Sequence, residues 1–272
     1  MPELPEVETI VRGLRSEIIN KKFWSVEGKL KSILYPSFRE FESKLPGLRI
    51  LDVRRRGKFI VFVLSNKMRL VIHLRMTGRL MWHKEKGREK YIRAVFNFSD
   101  ATALFYSDVR KFGRIWLYNE KDYERASGIY KLGQEPLATN LSFEKFYKLF
   151  DGKSGILKNN LLRQDLVAGI GNIYADEICF RSGFLPTTRL NNIGKKGYQN
   201  IYGALRYCLK EGIKHRGVSV SDFVSTRGNL GKHQHYLKVY GRAGDKCYVC
   251  KSIIEKTRAA GRGTYYCAVC QK

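Results

Sequence analysis

Acidic residues are scarce in this 272-residue chain: 25 Asp and Glu stand against 51 Lys and Arg, for a formal net charge of +26. The excess runs along the whole length, so neither one basic tail nor one amphipathic membrane-surface helix accounts for it. A positive field of this size points to a nucleic-acid backbone as partner. Long apolar runs are also missing. No stretch reaches the roughly 18 apolar residues of a membrane-spanning helix, so no membrane partner is expected. The opening MPELPEVETI carries Glu3, Glu6 and Glu8 where a secretory leader has basic and then apolar residues, and this predicts a cytoplasmic, intracellular protein. Internal repeats and low-complexity segments are absent. With 43% hydrophobic residues the chain is globular, long enough for one large or two ordinary domains.

Cysteine is sparse too, six in all. Cys179 and Cys208 stand alone in apolar surroundings and read as buried thiols. The other four make the pattern Cys247-x2-Cys250, sixteen residues, Cys267-x2-Cys270. Two such knuckles close a thiolate tetrahedron around one structural zinc, with every position taken by protein. Disulfides are the alternative, disfavoured in a cytosolic chain. Between the knuckles, GRGTYY places Arg262 on the expected hairpin, either solvated or offered to phosphate.

After a first helix carrying Val7, Ile10, Val11, Leu14 and Ile18 at helical spacing from Glu3 onward, the chain to about residue 130 is β-rich. KFIVFVLSN, MRLVIHLRMTG, YIRAVFNFSD and ATALFYSDVR are short alternating or apolar runs bounded by turn residues. Strands in succession predict an antiparallel sandwich. LGQEPL near Leu132–Pro136 is a connector. Beyond about 140 the period turns helical, in FEKFYKLF, ILKNNLLRQDLV, NIYADEICFRSG and the stretch from Gly197 to Ile213. Residues 214–236, polar and glycine-containing, read as a long loop. The fold class is therefore α+β. The division expected is a sandwich over 1–131, a helical domain over 132–240 and a small cysteine module over 241–272.

Pro2 has two readings. Once Met1 is removed, which a small second residue permits, its secondary amine titrates near 8 rather than the 10.4 of a lysine and is a nucleophile beside carboxylates. Alternatively it is an ordinary helix-start proline, whose missing N–H costs nothing there, with Glu3 and Glu6 complementing the helix dipole. Lys58, in RRRGKFI, is a phosphate contact or a positioned acid. In Asp108-Val109-Arg110-Lys111-Phe112-Gly113-Arg114 an aromatic sits among cations in a glycine-containing loop, as a wedge into a base stack requires; a core position for Phe112 is the plainer account. HLRMTG ends a strand with Met76, and GIGN, with Asn172, is a tight turn able to seat a phosphate or merely to join helices.

Taken in order, MPELPEVET, RRRGKF, HLRMTG, DVRKFGR, LGQEPL, LVAGIGNIYADE, VYGRAG and CxxC…GRGTYYCxxCQ resemble the formamidopyrimidine-DNA glycosylase family over nearly the whole chain. The resemblance implies an N-terminal β-sandwich with a leading helix, a helix–two-turn–helix domain and a C-terminal zinc finger, with double-stranded DNA carrying oxidised or abasic sites between the halves. It implies a bifunctional glycosylase and abasic-site lyase of base-excision repair acting on oxidised purines. Pro2 then attacks C1′, Glu3 shuttles protons, Glu6 supports the terminus, and Lys58 and Arg262 serve the eliminations and phosphate binding. His73, Lys153 and Asn172 match DNA-backbone contacts. Met76, Arg110 and Phe112 match the trio filling the gap left by a flipped nucleotide. Tyr91 stands where a DNA-contacting histidine is frequent, Arg163 replaces a frequent aspartate, and HRGVSVSDF lacks the usual GGTT start. These departures bear on lesion choice. An endonuclease VIII-like enzyme for oxidised pyrimidines is the nearest alternative, and a non-catalytic damaged-DNA-binding relative is another. A monomer is expected, nucleoid-associated if bacterial.

Overall fold

A computed structural model describes residues 1–83, 91–219, 230–259 and 261–272. The centre of the expected loop 214–236 and the residues just before Tyr91 lie outside them. The chain folds as two compact units, one formed by 1–130 with 215–232, the other by 131–214 with 233–272.

The first unit opens with helix α1 (Leu4–Ile18), which buries Val7, Ile10, Val11, Leu14 and Ile18, the stripe expected from spacing. Strands β1 (Phe23–Gly28) and β2 (Leu34–Tyr35) precede a short helix α2 (Phe38–Lys44), whose first turn is capped by the Ser37 hydroxyl accepting from the Glu40 N–H. Then come β3 (Ile50–Arg56), β4 (Phe59–Leu64), β5 (Met68–His73), β6 (Gly78–His83), β7 (Ile92–Phe98), β8 (Ala103–Asp108) and β9 (Arg114–Asn119), followed by the short helix α3 (Tyr123–Ser127). They form a four-stranded sheet in the order β1-β7-β8-β6 and a five-stranded sheet in the order β2-β9-β5-β4-β3. The named pairs are antiparallel except β2 with β9, where two residues run parallel. One core joins the two sheets and α1, with Phe23, Phe96 and Leu104 from one sheet, Ile50, Phe62, Leu70 and Ile115 from the other. Apolar side chains alternate inward on both sheets, as a sandwich requires.

The second unit holds α4 (Phe143–Phe150), α5 (Leu157–Leu161), α6 (Asn172–Ser182), α7 (Lys195–Lys214) and the hairpin β10 (Glu255–Ala259) with β11 (Arg262–Tyr266). FEKFYKLF is α4 to the residue, and its Phe146 and Phe150 pack on Tyr198 and Tyr202 of α7. ILKNNLLRQDLV does not remain helical. It leaves the helix at Leu161 because the backbone beyond is engaged elsewhere: Gly133 and Gln134 donate to Gln164 and Leu166 carbonyls, and Ala168 donates to Gln134. The Gln164 side chain stitches the turn, donating to Leu162 and Ile170 carbonyls and accepting from the Gly169 N–H.

Candidate active site

Helix α1 settles which proline starts it. The helix takes Glu3 as N-cap, in extended conformation, and places Pro5 in the first turn, where a missing N–H is harmless. Pro2 lies outside the helix and is buried. The Glu6 carboxylate reaches back to accept the Glu3 N–H at 2.9 Å, and the Glu3 side chain accepts from the Glu6 N–H in return. This is a reciprocal cap built on two acids. The other Glu6 oxygen accepts the Val218 N–H at 2.7 Å. Both carboxylates are buried, and Glu6 bridges the chain's first residues to the turn at Val218.

Lys58 is buried and follows Gly57 in the β3–β4 turn. The neighbouring Arg55 ties this turn to α1 through Glu8 at 2.9 Å, and Glu8 also holds Arg12 at 2.8 Å. Burial alone would raise the Glu8 carboxyl, but the two guanidiniums hold it below the usual carboxylate range. His73 ends β5, buried, with its ring edge-on to Phe59 at 4.5 Å. Its Nδ1 accepts the Arg75 N–H at 3.1 Å, which assigns the ring proton to Nε2. Burial, then the charges of Arg75 and Lys58, push its pKa down to about 3. At neutral pH His73 is an uncharged N–H donor with a lysine close by.

Met76 and the Arg110–Phe112 pair sit on different loops, β5–β6 and β8–β9, and one carboxylate organises both. Asp108, fully buried, accepts the Thr77 hydroxyl at 2.5 Å and the Arg110 N–H at 3.1 Å on Oδ1. Its Oδ2 accepts the Gly113 N–H at 2.8 Å and the Tyr106 hydroxyl at 3.2 Å. Gly113 has to be glycine, because a Cβ there would fall 1.5 Å from the Tyr106 hydroxyl. With their backbones fixed, Met76 and Phe112 remain 43% and 47% exposed, and the Arg110 guanidinium stacks 4.7 Å from the Phe112 ring centre. Phe112 is therefore not a core residue. Exposed apolar side chains on pinned loops suit insertion into a base stack. Tyr91, exposed, is tied to the same hub, its carbonyl accepting the Asp108 N–H at 3.1 Å while Arg93 reaches both its ring and the Asp108 carbonyl.

In the second unit Asn172 is the first residue of α6, and its side-chain N–H donates to the Gly263 carbonyl at 3.0 Å, next to exposed Arg262 on β11. The same strand is gripped from below by a fully buried pair. Lys158 Nζ donates to Thr264 Oγ1 at 2.8 Å and to the Gly263 carbonyl at 3.2 Å, and forms an ion pair with Asp176 at 2.7 Å. Asp176 in turn accepts the Tyr265 N–H at 3.0 Å. Lys153 stands apart on the exposed turn after α4.

The four knuckle cysteines converge, all sulfurs within 4.8 Å of one another. Cys247 and Cys270 lie 3.9 Å apart, and Cys250 and Cys267 3.4 Å. Zinc–sulfur bonds of about 2.3 Å set tetrahedral edges near ~3.8 Å, so the cluster fits the ion. Ser252 Oγ lies 2.9 Å from the Cys250 sulfur and 3.1 Å from that of Cys267, a hydroxyl able to donate to a bound thiolate. Cys179 and Cys208 are buried, and burial pushes both thiols up, away from reactivity.

Comparison with known proteins covers the chain end to end. Residues 1–115 match the formamidopyrimidine-DNA glycosylase N-terminal domain, 132–224 the helix–two-turn–helix domain of the same enzymes, and 244–272 the zinc finger they share with isoleucyl-tRNA synthetases. Formamidopyrimidine-DNA glycosylases of Pelotomaculum thermopropionicum and Listeria innocua are 39% and 40% identical over 100% of this chain, and over 99% and 100% of their own lengths. This chain belongs to the formamidopyrimidine-DNA glycosylase family. Among solved family structures, a Lactococcus lactis enzyme variant in complex with DNA containing Fapy-dG superposes with a TM-score of 0.92 at 35% identity, both chains covered completely. The Thermus thermophilus enzyme superposes at 0.90 and 34% identity, over 99% of this chain and 98% of its own.

Against the glycosylase pattern, the structure brings Pro2, Glu3 and Glu6 together at one helix start, Lys58 beside His73, and Met76 with Arg110 and Phe112 around one carboxylate. It brings Asn172 next to Arg262 through Gly263. Asp108 and the Lys158–Asp176 pair are the organising residues that sequence reasoning left without a role. Asp108 opens the DVRKFGR run, but nothing local reveals that its partner Thr77 is 31 residues away.

Proposed function

We propose that Pro2, freed by removal of Met1, is the nucleophile of a DNA glycosylase and abasic-site lyase of base-excision repair acting on oxidised purines such as 8-oxoguanine and formamidopyrimidines. The observation that carries this assignment is the placement of Pro2 outside its helix, buried and preceding a cap of two reciprocally bonded acids, while Pro5 takes the structural role. Pro2 nitrogen bonds to C1′ as the C1′–base bond breaks and the base departs with a proton. Glu3 passes a proton to the sugar ring oxygen as the ring opens, leaving an iminium. The iminium is an electron sink, so loss of a 2′ proton expels the 3′ phosphate, and a second elimination expels the 5′ phosphate. Lys58 and Arg262 hold the departing phosphates. His73 offers a neutral N–H to a phosphate oxygen, with Asn172, Lys153 and Tyr91 along the backbone. Met76, Arg110 and Phe112 occupy the space of the flipped nucleotide. The zinc, held by Cys247, Cys250, Cys267 and Cys270, is structural and keeps the hairpin of Arg262 folded.

The net charge of +26 supplies the sequence-independent affinity for duplex DNA. The same reading includes a monomer working inside the cell at the nucleoid, with a catalytic sandwich over 1–131, a helical DNA-binding domain over 132–240 that lends residues 215–232 to the first compact unit, and the finger over 241–272.

Borohydride trapping on a duplex with 8-oxoguanine opposite cytosine tests the proposal. A covalent adduct is expected, and it is lost in Pro2→Gln, whose larger second residue also keeps Met1 in place. No adduct with any oxidised or abasic duplex refutes it. A Lactococcus lactis relative has been crystallised with DNA containing an oxidised pyrimidine, so a thymine glycol duplex is the comparison substrate. Faster excision there than from 8-oxoguanine favours the endonuclease VIII-like reading.

A further inference from the structure

Glu6 is held from two directions, one of them 212 residues away in sequence, and that far side is built to closer tolerance than a turn needs. Residues 215–232 belong to the same compact unit as α1. In that unit Val218 donates its N–H to Glu6 Oε1 at 2.7 Å, while Oε2 accepts the Glu3 N–H at 2.9 Å. Gly217, at φ +78, presses against the same side chain. A Cβ there would lie 2.8 Å from both Cγ and Oε1 of Glu6, and 3.2 Å from its Cα. The Cα belongs to the rigid first turn of α1 and cannot give way.

The turn cannot retreat either. Its back is closed by Gly231, where a Cβ would meet the Gly217 carbonyl at 2.2 Å. Lys232 donates to the His215 carbonyl at 2.9 Å and Gly231 to Ser219 Oγ at 2.8 Å, so residues 231–232 brace the turn. Glu6 is thus wedged between a braced turn and the backbone N–H of the residue next to the nucleophile.

We propose that Gly217 and Val218 are positioning residues for the N-terminal nucleophile, acting through Glu6. Through the bond to the Glu3 N–H, the turn fixes the peptide that carries Pro2. A Cβ at position 217 pushes the Glu6 carboxylate off this bond and moves the amine relative to C1′. Misplacement of a reacting group by about 1 Å costs on the order of a hundredfold in rate. The proposal rests on Pro2 being the nucleophile, and the experiment separates the two.

The rate of borohydride trapping on a preformed abasic duplex is measured for the wild type, Gly217→Ala and Gly47→Ala, together with each protein's duplex Kd. Gly47 has φ +84 with nothing within 4 Å of its Cβ position, so it carries the same backbone strain without touching Glu6. Gly217→Ala is expected to trap about tenfold to a hundredfold more slowly at a Kd within about twofold of wild type, and Gly47→Ala to trap normally. Normal trapping by Gly217→Ala overturns the proposal, as does slowing that only follows weaker DNA binding. If Gly217→Ala does not fold, or the wild type does not trap, amide exchange decides. In Glu6→Ala, which removes both acceptor oxygens, the amide protons of residues 3 and 218 are expected to exchange faster together; acceleration at one end alone overturns the clamp. A wild type that fails to trap counts against Pro2 as nucleophile and leaves the clamp to that second measurement.

Discussion

Replacing Asp108 with Asn is the sharpest test of how the stack-filling loops are held. The carboxylate accepts four hydrogen bonds, from the Thr77 hydroxyl, the Arg110 and Gly113 N–H groups and the Tyr106 hydroxyl. Asparagine keeps one oxygen, which best serves Thr77 and Arg110, and turns an NH2 toward the other two. The Tyr106 hydroxyl can reverse and accept from it. The Gly113 N–H cannot, and it is buried. A buried donor left unpaired costs about 1–3 kcal/mol, and the surviving bonds fall from charge-assisted strengths of about 1.5–3 to about 0.5–1.5 kcal/mol. Together these give a loss of roughly 3 kcal/mol, or about 6–12 °C in Tm. Urea and thermal unfolding of the full chain measure it. Excision of 8-oxoguanine from duplex DNA is expected to fall further than strand cleavage at a preformed abasic site, because filling the vacated stack matters most while a base is being flipped. A variant within about 0.5 kcal/mol of wild type, excising normally, would show that the loops hold themselves and that Asp108 does not organise them.

Three further outcomes follow from the same geometry. Cys247→Ala is expected to reduce zinc from one ion per chain to none by elemental analysis, with loss of duplex binding; unchanged stoichiometry refutes the four-thiolate site. His73 is buried neutral with a pKa of about 3 against an ordinary 6.5. The unfolded chain therefore binds the extra proton between these values, and stability is full above pH 6.5 and falls as pH drops toward 3. Between pH 6.5 and 5 the loss is about 2 kcal/mol, and the difference in unfolding free energy between wild type and His73→Gln should carry this slope; parallel profiles refute it. Lys158→Met leaves Asp176 buried without its cation and is expected to cost about 3–5 kcal/mol, with Asp176→Leu added in the same chain recovering much of it. A single variant as stable as wild type by urea unfolding rules out the pair as the brace of β11.

What was legible in the sequence depended on the distance over which each feature is decided. The stripe of α1, the short alternating or apolar runs of β4, β5, β7 and β8 and the eight residues of α4 are read correctly because each pattern is carried by the residues of a single element. The zinc cysteines are legible because thiolate spacing is itself the chemistry. The segment after Leu161 misleads because its apolar period is helical while its backbone is claimed by Gly133 and Gln134, some thirty residues earlier. Asp108 is visible as a letter and invisible as a hub for the same reason. The residues of the stack-filling trio could be named from motifs, but the carboxylate that joins their loops required the fold.

The opening of the chain is the instructive intermediate case. PELPEV contains two Pro-Glu steps three residues apart, and composition cannot say which proline starts the helix. Capping chemistry can. If Pro2 began the helix, Met1 would be the N-cap and Leu4 the third helical position, with no carboxylate there to reach back to the cap N–H. With Glu3 as N-cap, Glu6 falls at the third helical position, the one from which a carboxylate reaches back to the cap N–H, and Pro5 falls where no donor is missed. The second Pro-Glu step is therefore consumed by the helix and the first is left over. A residue excused from structural duty, buried beside two fixed acids at the terminus, is free to do chemistry. The ambiguity in Pro2 was one of register, and the register is set by Glu6, the residue that Gly217 and Val218 hold in place.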